Sequence, residues 1–412
     1  MDFKRKIKLY TSLVARTIFF PVCFVIVLLL RLIRPILVIR WGGLISHRIG
    51  HFAANTELYL CEKENGINIP KGSFLDIHYF LVKPVCNHQL ALMWKRTLRI
   101  WPTWIFNLLN PVNRLIPGWE IHEIGNNTQG DRDVHNLLDT SKPHLSFNKD
   151  EIEFGELQLR KMGIPEQAKI VCIIVRDNIY LQSQFPGEWS YHNYRDSNIQ
   201  NFLMAAEELT KKGYYVLRMG AKVKDALQTS NPMIIDYGFN GMRTDFMDIY
   251  IGYKCTFCIS TATGWDAVPD HLFRRPIVYV NNVPLGIIAT YREKNLIITK
   301  MSYSAEEKRN LTMKEIFSRD VGFAMATNDY SSKGIQLIEN TAEEICSVVM
   351  EMEHRLNGTW TPKENDESLQ SQFWNIFPTD ATDPVRGKPY HGKIKARFGA
   401  DFLRNNEWWL KS

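Results

Sequence analysis

Cys255-Thr256-Phe257-Cys258-Ile259-Ser260-Thr261-Ala262-Thr263-Gly264-Trp265 reads as a buried strand running into a loop of small hydroxylated residues, with a helix following from Trp265 to Phe273. A helix starting there points unbonded backbone N–H groups and its positive dipole end at whatever occupies the loop. That arrangement suits a phosphate or diphosphate. An ordinary strand–loop–helix joint with Ser and Thr caps has the same appearance, so the surroundings must decide.

Outward from this stretch, strands and helices alternate. Lys169 to Val175 is almost continuously apolar, as expected of a parallel strand buried on both faces. A helix over Asn198 to Lys212 stops at Gly213, and Tyr214 to Met219 is a strand closed by Gly220. A short strand at Met233 to Asp236, a helix at Thr244 to Tyr253 and a strand at Pro276 to Val280 complete the pattern. Such alternation predicts an α/β domain with a doubly wound parallel sheet. Further on, Thr341-Ala342-Glu343-Glu344 is a capping box ahead of a helix reaching about Leu356.

Ligands of open parallel sheets bind beyond the carboxyl ends of the strands. The candidates there are Arg176, Asp177, Arg218, Gly220, Ser260, Thr261, Thr263 and Gly264, with Arg195 just ahead of a helix. Three arginines and a helix N-terminus aimed at one crevice make a diphosphate pocket. Each arginine taken alone fits a surface salt bridge equally well.

The motifs that are missing narrow the chemistry. There is no GxxxxGK[ST], no GxGxxG after the first strand and no GxSxG elbow. That weighs against a P-loop kinase, a nicotinamide dehydrogenase and an α/β-hydrolase. No cluster of carboxylates stands out as suited to holding a divalent cation, so no metal and no cofactor is expected. Cys255 and Cys258 form a CxxC, but within a strand they face opposite sides of the sheet. The seven scattered cysteines fit a reduced compartment.

The front half is less regular. Ile36 to Trp41 reads as a strand broken by Gly42-Gly43, followed by Arg48-Ile49-Gly50-His51 and a helix from Phe52 to Glu62. His51, near a helix start that favours a neutral imidazole, is a candidate general base. Glu57 and Asp177 are the other two candidates. Between Leu92 and Trp119 four tryptophans and three prolines follow no clean helical period, which suits either a membrane- or acceptor-facing segment or an aromatic core edge.

Residues 1–40 hold eight basic side chains against Asp2 alone, a balance of +7 in a chain of net charge +6. The remainder is therefore close to neutral, which excludes a nucleic-acid face. Ile18 to Leu30 is thirteen apolar residues flanked by Arg16, Arg31 and Arg34. Crossing a bilayer takes roughly 20. The expectation is an in-plane or dipping helix on an anionic membrane face, although a short span or a core helix also fits. The expected layout is a membrane-associating helix over 1–34, an acceptor-side domain over 35–165, a nucleotide-binding domain over 166–358 and a docking tail over 359–412.

Several segments together resemble a family of bacterial glycosyltransferases linked to surface polysaccharides. They are Val175-Arg176-Asp177, Tyr194-Arg195-Asp196-Ser197-Asn198-Ile199, Val216-Leu217-Arg218-Met219-Gly220, Ile235-Asp236-Tyr237, Asp248-Ile249-Tyr250 and Phe257 to Gly264, with Arg48 to His51 in front. The resemblance covers roughly residues 36–290. It implies the GT-B architecture, with two Rossmann-like domains and a cleft between them, and a metal-independent transfer. A nucleotide-sugar donor, a glycan or glycolipid acceptor and the cytoplasmic face of the inner membrane follow from it. Where that family tends to carry Arg-Asn, this chain has Arg195-Asp196. The arginine segments are also similar to fucosyltransferase donor sites, too briefly to name the sugar.

Overall fold

The computed structural model describes residues 3–124, 132–179, 182, 187, 189–288, 292–385 and 387–411, and in residues 3–13 and 15 the backbone only. The chain divides into two compact units, Met1–Asp131 and Arg132–Ser412.

The second unit is built on a seven-stranded sheet. Its main strands are β3 (Lys169–Ile174), β4 (Tyr214–Met219), β5 (Ile234–Ile235), β6 (Phe257–Ser260), β7 (Ile277–Asn282) and β8 (Leu296–Thr299). The two-residue strand Arg397–Phe398 adds at the edge beside β8. From that edge the order runs β8, β7, β6, β3, β4, β5, and every pairing is parallel. The chain starts at the centre with β3, winds outward through β4 and β5, then returns to the far side of β3 as β6. This is the doubly wound Rossmann order, and its topological switch lies between β3 and β6. β3, β4 and β6 are apolar nearly throughout because helices cover both faces.

The helices explain most element ends. Before β3 lies α5 (Lys149–Lys161), opened by an Asn148/Glu151 capping box. After β3 comes α6 (Leu203–Lys211), and before β6 comes α7 (Asp245–Lys254), capped by the Thr244 hydroxyl. The expected capping box at Thr341 and Glu344 is present and starts the helix Ala342–Leu356.

Two expectations change. First, the units part at 131/132, whereas composition suggests 165. The reason is α5. A Cβ on its Gly155 would lie 2.3 Å from the Tyr250 ring, so only glycine lets α5 lie flat on α7. Second, the helix after Gly264 is short. Its centre is a π-turn, Val268–Leu272, with Pro269 inside, so little dipole is aimed at the loop. As expected, the tail beyond residue 358 docks on a domain: it belongs to the second unit, where Arg397–Phe398 pairs with β8. Trp409 is fully buried there, with ring centroids 5.9 Å from Phe373 and 6.0 Å from Phe398.

The first unit contains α1 (Phe3–Ile33), β1 (Val38–Leu44), α2 (Ile49–Glu64), β2 (Phe74–Phe80), α3 (His88–Thr97) and α4 (Thr103–Asn113). β1 and β2 are parallel and joined through α2, a single βαβ element. Where the sequence suggests a full Rossmann-like domain, the described residues form only these two strands. Gly42 and Gly43 do not break β1. They lie within it, because Cβ atoms there would meet Ile124 at 2.8 Å and Leu81 at 2.3 Å.

Candidate functional site

The carboxyl ends of β3, β4 and β6 meet at the switch point of the second unit. β3 ends at Ile174, and the chain leaves through Val175, Arg176 and Asp177. The Arg176 backbone N–H donates to the Thr261 hydroxyl at 2.8 Å, which ties the end of β3 to the loop after β6. A 3₁₀ turn, Ser190–Arg195, delivers Arg195 to the same loop, where its guanidinium donates to the Ala262 carbonyl. Ala262 has φ 57°, a left-handed conformation seldom found outside glycine, so the loop is bent to present that carbonyl.

Arg176 and Arg195 therefore lie side by side. Burial, and then the neighbouring Arg195 charge, hold the Arg176 guanidinium down to about 10, far below an ordinary arginine. Two partly buried like charges are unfavourable together unless an anion is shared between them. Their nearest acid is Asp196, whose carboxylate lies 3.6 Å from Arg176 Nε. Burial raises its carboxyl to about 6 despite the arginines around it, so at neutral pH it is ionised at a cost, a single carboxylate facing two guanidinium groups. Buried Nε atoms of Arg176 and Arg195, the Ser197 hydroxyl and the Thr263 hydroxyl have no hydrogen-bond partner among the described residues. Donors of this kind are met by a bound water or by a polar ligand.

Next to this pair lies a cavity of about 690 Å³. Asp177, Tyr194 and Asp196, chain neighbours of the two arginines, line it together with Arg218, Lys300 and Glu339. The buried Lys300 ammonium donates to the backbone carbonyls of Tyr194 at 3.2 Å and Asp196 at 2.6 Å, fixing the turn that carries Arg195. Burial pushes the Lys300 ammonium below its ordinary value. At the start of the same turn, Trp189, Tyr191 and His192 form a stacked aromatic group. The Trp189 and His192 ring planes lie 10° apart, and Tyr191 and His192 centroids lie 3.9 Å apart. The Thr327 hydroxyl, which lines the cavity, donates to the Ser190 and Tyr191 carbonyls and so ties this turn to the cavity's edge.

Other predicted residues have structural duties. Arg218 is 2% exposed. It pairs with Asp236 at 3.2 Å and donates to the Asp225 carbonyl at 2.7 Å. It lines the cavity, but its charge is already matched, so it is not a third open cation. Gly220 gives room: a Cβ there would lie 2.4 Å from Val223. The Ser260 hydroxyl donates to Asp266 at 2.6 Å, and burial pushes the Asp266 carboxyl up to about 7. Ser260 and Thr261 are buried and shape the loop from beneath. Thr263 is half-buried and Gly264 is exposed.

Of the three candidate bases, Asp177 lies in the second unit at the cavity. Its carboxylate accepts from the backbone N–H groups of Ile179 at 3.2 Å and Lys224 at 3.0 Å. His51 and Glu57 lie in the first unit on α2. His51 is half-buried in the first turn, with Nδ1 3.4 Å from the Asn55 side-chain oxygen. Glu57 is fully buried, so its carboxylate is closed to an incoming hydroxyl in this conformation.

Sequence reasoning singles out Asp196 without a role, and misses Lys300 and the aromatic turn. Trp189, Tyr191 and His192 stand only three to six residues ahead of Arg195 and were the available signal.

No protein-family model matches the chain, and no curated protein matches it. Among solved structures it is similar to the ADP-heptose LPS heptosyltransferase II of E. coli, at TM-score 0.39 and 12% identity, over 64% of this chain and 91% of that one. It is also similar to a glycosyl transferase of family 9 from Veillonella parvula DSM 2008, at TM-score 0.39 and 12% identity, over 63% and 85%. At such scores neither likeness decides the fold or the chemistry. The Rossmann strand order and the arginine pair stand on their own geometry.

Proposed function

We propose that the protein is a GT-B-type glycosyltransferase. It moves a sugar from a nucleotide-sugar donor to a membrane-bound or lipid-linked glycan acceptor at the cytoplasmic face of the membrane. The observation carrying this reading is the Arg176–Arg195 pair at the Rossmann switch point, two guanidinium groups facing the single carboxylate of Asp196 beside a cavity of about 690 Å³. A nucleoside diphosphate has the charge and the size for that place. Departure of the diphosphate develops negative charge on its terminal phosphate. Preorganised guanidinium donors stabilise that charge, each contact contributing a few kcal/mol of transition-state stabilisation. Neutralisation by arginines needs no metal.

In this reading the turn from Trp189 to Arg195 lays the donor sugar against an aromatic face. Its apolar C–H groups pack on the rings while Arg195 holds the phosphate. Asp196, Lys300 and Arg218 keep the turn and the cavity wall in shape. Deprotonation of the acceptor hydroxyl falls to His51, with Asp177 as the alternative, because burial takes Glu57 out of reach. The nonpolar, basic α1 serves membrane attachment.

A nucleotide-binding protein without transferase activity would share the arginine pair and the cavity. Release of nucleoside diphosphate from a panel of nucleotide-sugars, with and without a lipid-linked glycan, separates the two. Acceptor-dependent release supports the transferase, and binding without release leaves the binding protein.

A further inference from the structure

The question is whether α1 crosses a membrane or lies in one face of it. By length and composition the stretch Arg16–Ile33 is apolar enough to cross, and only 11% of it is buried. The packing of the first unit decides otherwise. Cys23 and Val27 are buried against Leu109 and Val112 of α4. Leu30 packs on the cluster of Trp41, Ile77, Tyr79 and Phe106. Arg31 donates to the Asn113 side chain at 2.7 Å. From Cys23 onward the apolar run is therefore held against the folded unit.

α4 is in turn tied to the sheet. Its Asn110 accepts from the Trp41 indole at 2.5 Å and donates to the Tyr79 hydroxyl at 2.9 Å. Just beyond it, Arg114 and Glu123 form an ion pair at 2.8 Å. A bilayer enclosing all of α1 would have to enclose α4, this ion pair and the edge of β1. Ions and open backbone at that depth are costly. The unbroken apolar run of thirteen residues reaches only about 20 Å at 1.5 Å per residue, against a hydrocarbon core of about 30 Å.

One leaflet fits instead. Outward-facing apolar side chains on α1 include Ile18, Val22, Val25, Leu29 and Leu32. The α4 region adds Trp101, Trp104 and Leu115, which are 49%, 64% and 67% exposed. Tryptophan at such positions suits the headgroup boundary. The complementary charge flanks the apolar run of α1, in Arg16 and Arg34, within a basic balance of +7 over residues 1–40. That charge selects an anionic lipid face over a second protein copy, which would carry the same sign.

We propose that α1 and α4 form a two-helix wedge that seats in one leaflet of an anionic bilayer without crossing it, with Trp101 and Trp104 as its second anchor. This deepens the membrane attachment read above and is independent of the transferase chemistry.

The test uses the full chain with epitopes at both ends, added to sealed vesicles of phosphatidylglycerol and phosphatidylcholine. Flotation reports binding, and external protease reports the side on which each epitope lies. The expected result is flotation with both epitopes digested. The double variant Trp101→Glu/Trp104→Glu should then partition at least about tenfold more weakly, while its circular dichroism is unchanged because both side chains are exposed. Flotation with the N-terminal epitope protected means a span and overturns the proposal, though membrane attachment stands. Wild-type flotation by the double variant removes α4 from the wedge and also overturns it. Absence of flotation, including self-association in place of vesicle binding, overturns the proposal and the attachment together.

Discussion

Asp196 provides the most exacting check on the anion site, because its charge is unfavourable where it stands. Burial holds its carboxyl up to about 6, against an ordinary 3.8. A shift of about two units corresponds to about 3 kcal/mol at 1.36 kcal/mol per unit. The side chain is 26% exposed, so solvent screening brings the expected figure nearer 1–2 kcal/mol. The sign follows from linkage. With the folded value above the unfolded one, the fold favours the protonated carboxyl. The associated stability is whole below pH 3.8 and is lost as pH rises through about 6. Asp196→Asn keeps a neutral group of the same shape at every pH. Relative to wild type, the variant should gain about 1–2 kcal/mol in urea unfolding between pH 4 and pH 7.5. Ligand binding should follow the same proton. A nucleotide-sugar is the right probe, since its diphosphate diester stays fully ionised through this range. Wild-type affinity should rise as pH falls from 7.5 to 5, by less than tenfold per unit, and the variant should bind with little pH dependence. An unchanged stability difference at the two pH values, or a variant that keeps the wild-type pH slope, would refute the reasoning.

Three further outcomes are expected. Arg218→Ala should destabilise the protein by about 3 kcal/mol in chemical unfolding, because it leaves the Asp236 carboxylate and the Asp225 carbonyl without their shared donor; a variant of wild-type stability would mean that the pair is only a surface contact. Gly155→Ala should cost about 1–3 kcal/mol, since its methyl would press into the Tyr250 ring at 2.3 Å, and thermal unfolding of the second unit reads this directly. Trp189→Ala should weaken a nucleotide-sugar by about 3- to 10-fold while leaving the matching nucleoside diphosphate unchanged; equal losses on both would place the base, not the sugar, on the rings.

The parallel sheet was legible because its strands are short apolar runs bounded by glycines and caps, a local signal. Lys169 to Val175 and Tyr214 to Met219 could be placed almost to the residue. What depends on distant contacts was not legible. The flat seat of α5 rests on Gly155 beneath Tyr250, ninety-five positions along, and so the boundary was set too late. The glycines of β1 looked like a strand end, whereas they make room for Ile124 and Leu81. Arg176 and Arg195 can be placed at a strand end and a turn because strand ends and turn starts are visible in sequence. Arg218 was assigned the same open charge because its pairing with Asp236, eighteen residues later, needs the register of β4 and β5 to be seen. The loop after β6 is legible as a strand running into a hydroxylated turn. The helix beyond it was overestimated, since Pro269 and a π-turn replace the regular helix that its apolar spacing suggests.

The central claim is that Arg176 and Arg195 share one diphosphate. Calorimetric titration of nucleoside diphosphates and nucleotide-sugars into wild type, Arg176→Ala, Arg195→Ala and the double variant tests it most directly. Each single change should weaken binding by about 10- to 100-fold, as expected for loss of a charged hydrogen bond of about 1.5–3 kcal/mol, and the double variant should show no measurable binding. Wild-type affinity in both single variants would contradict the account.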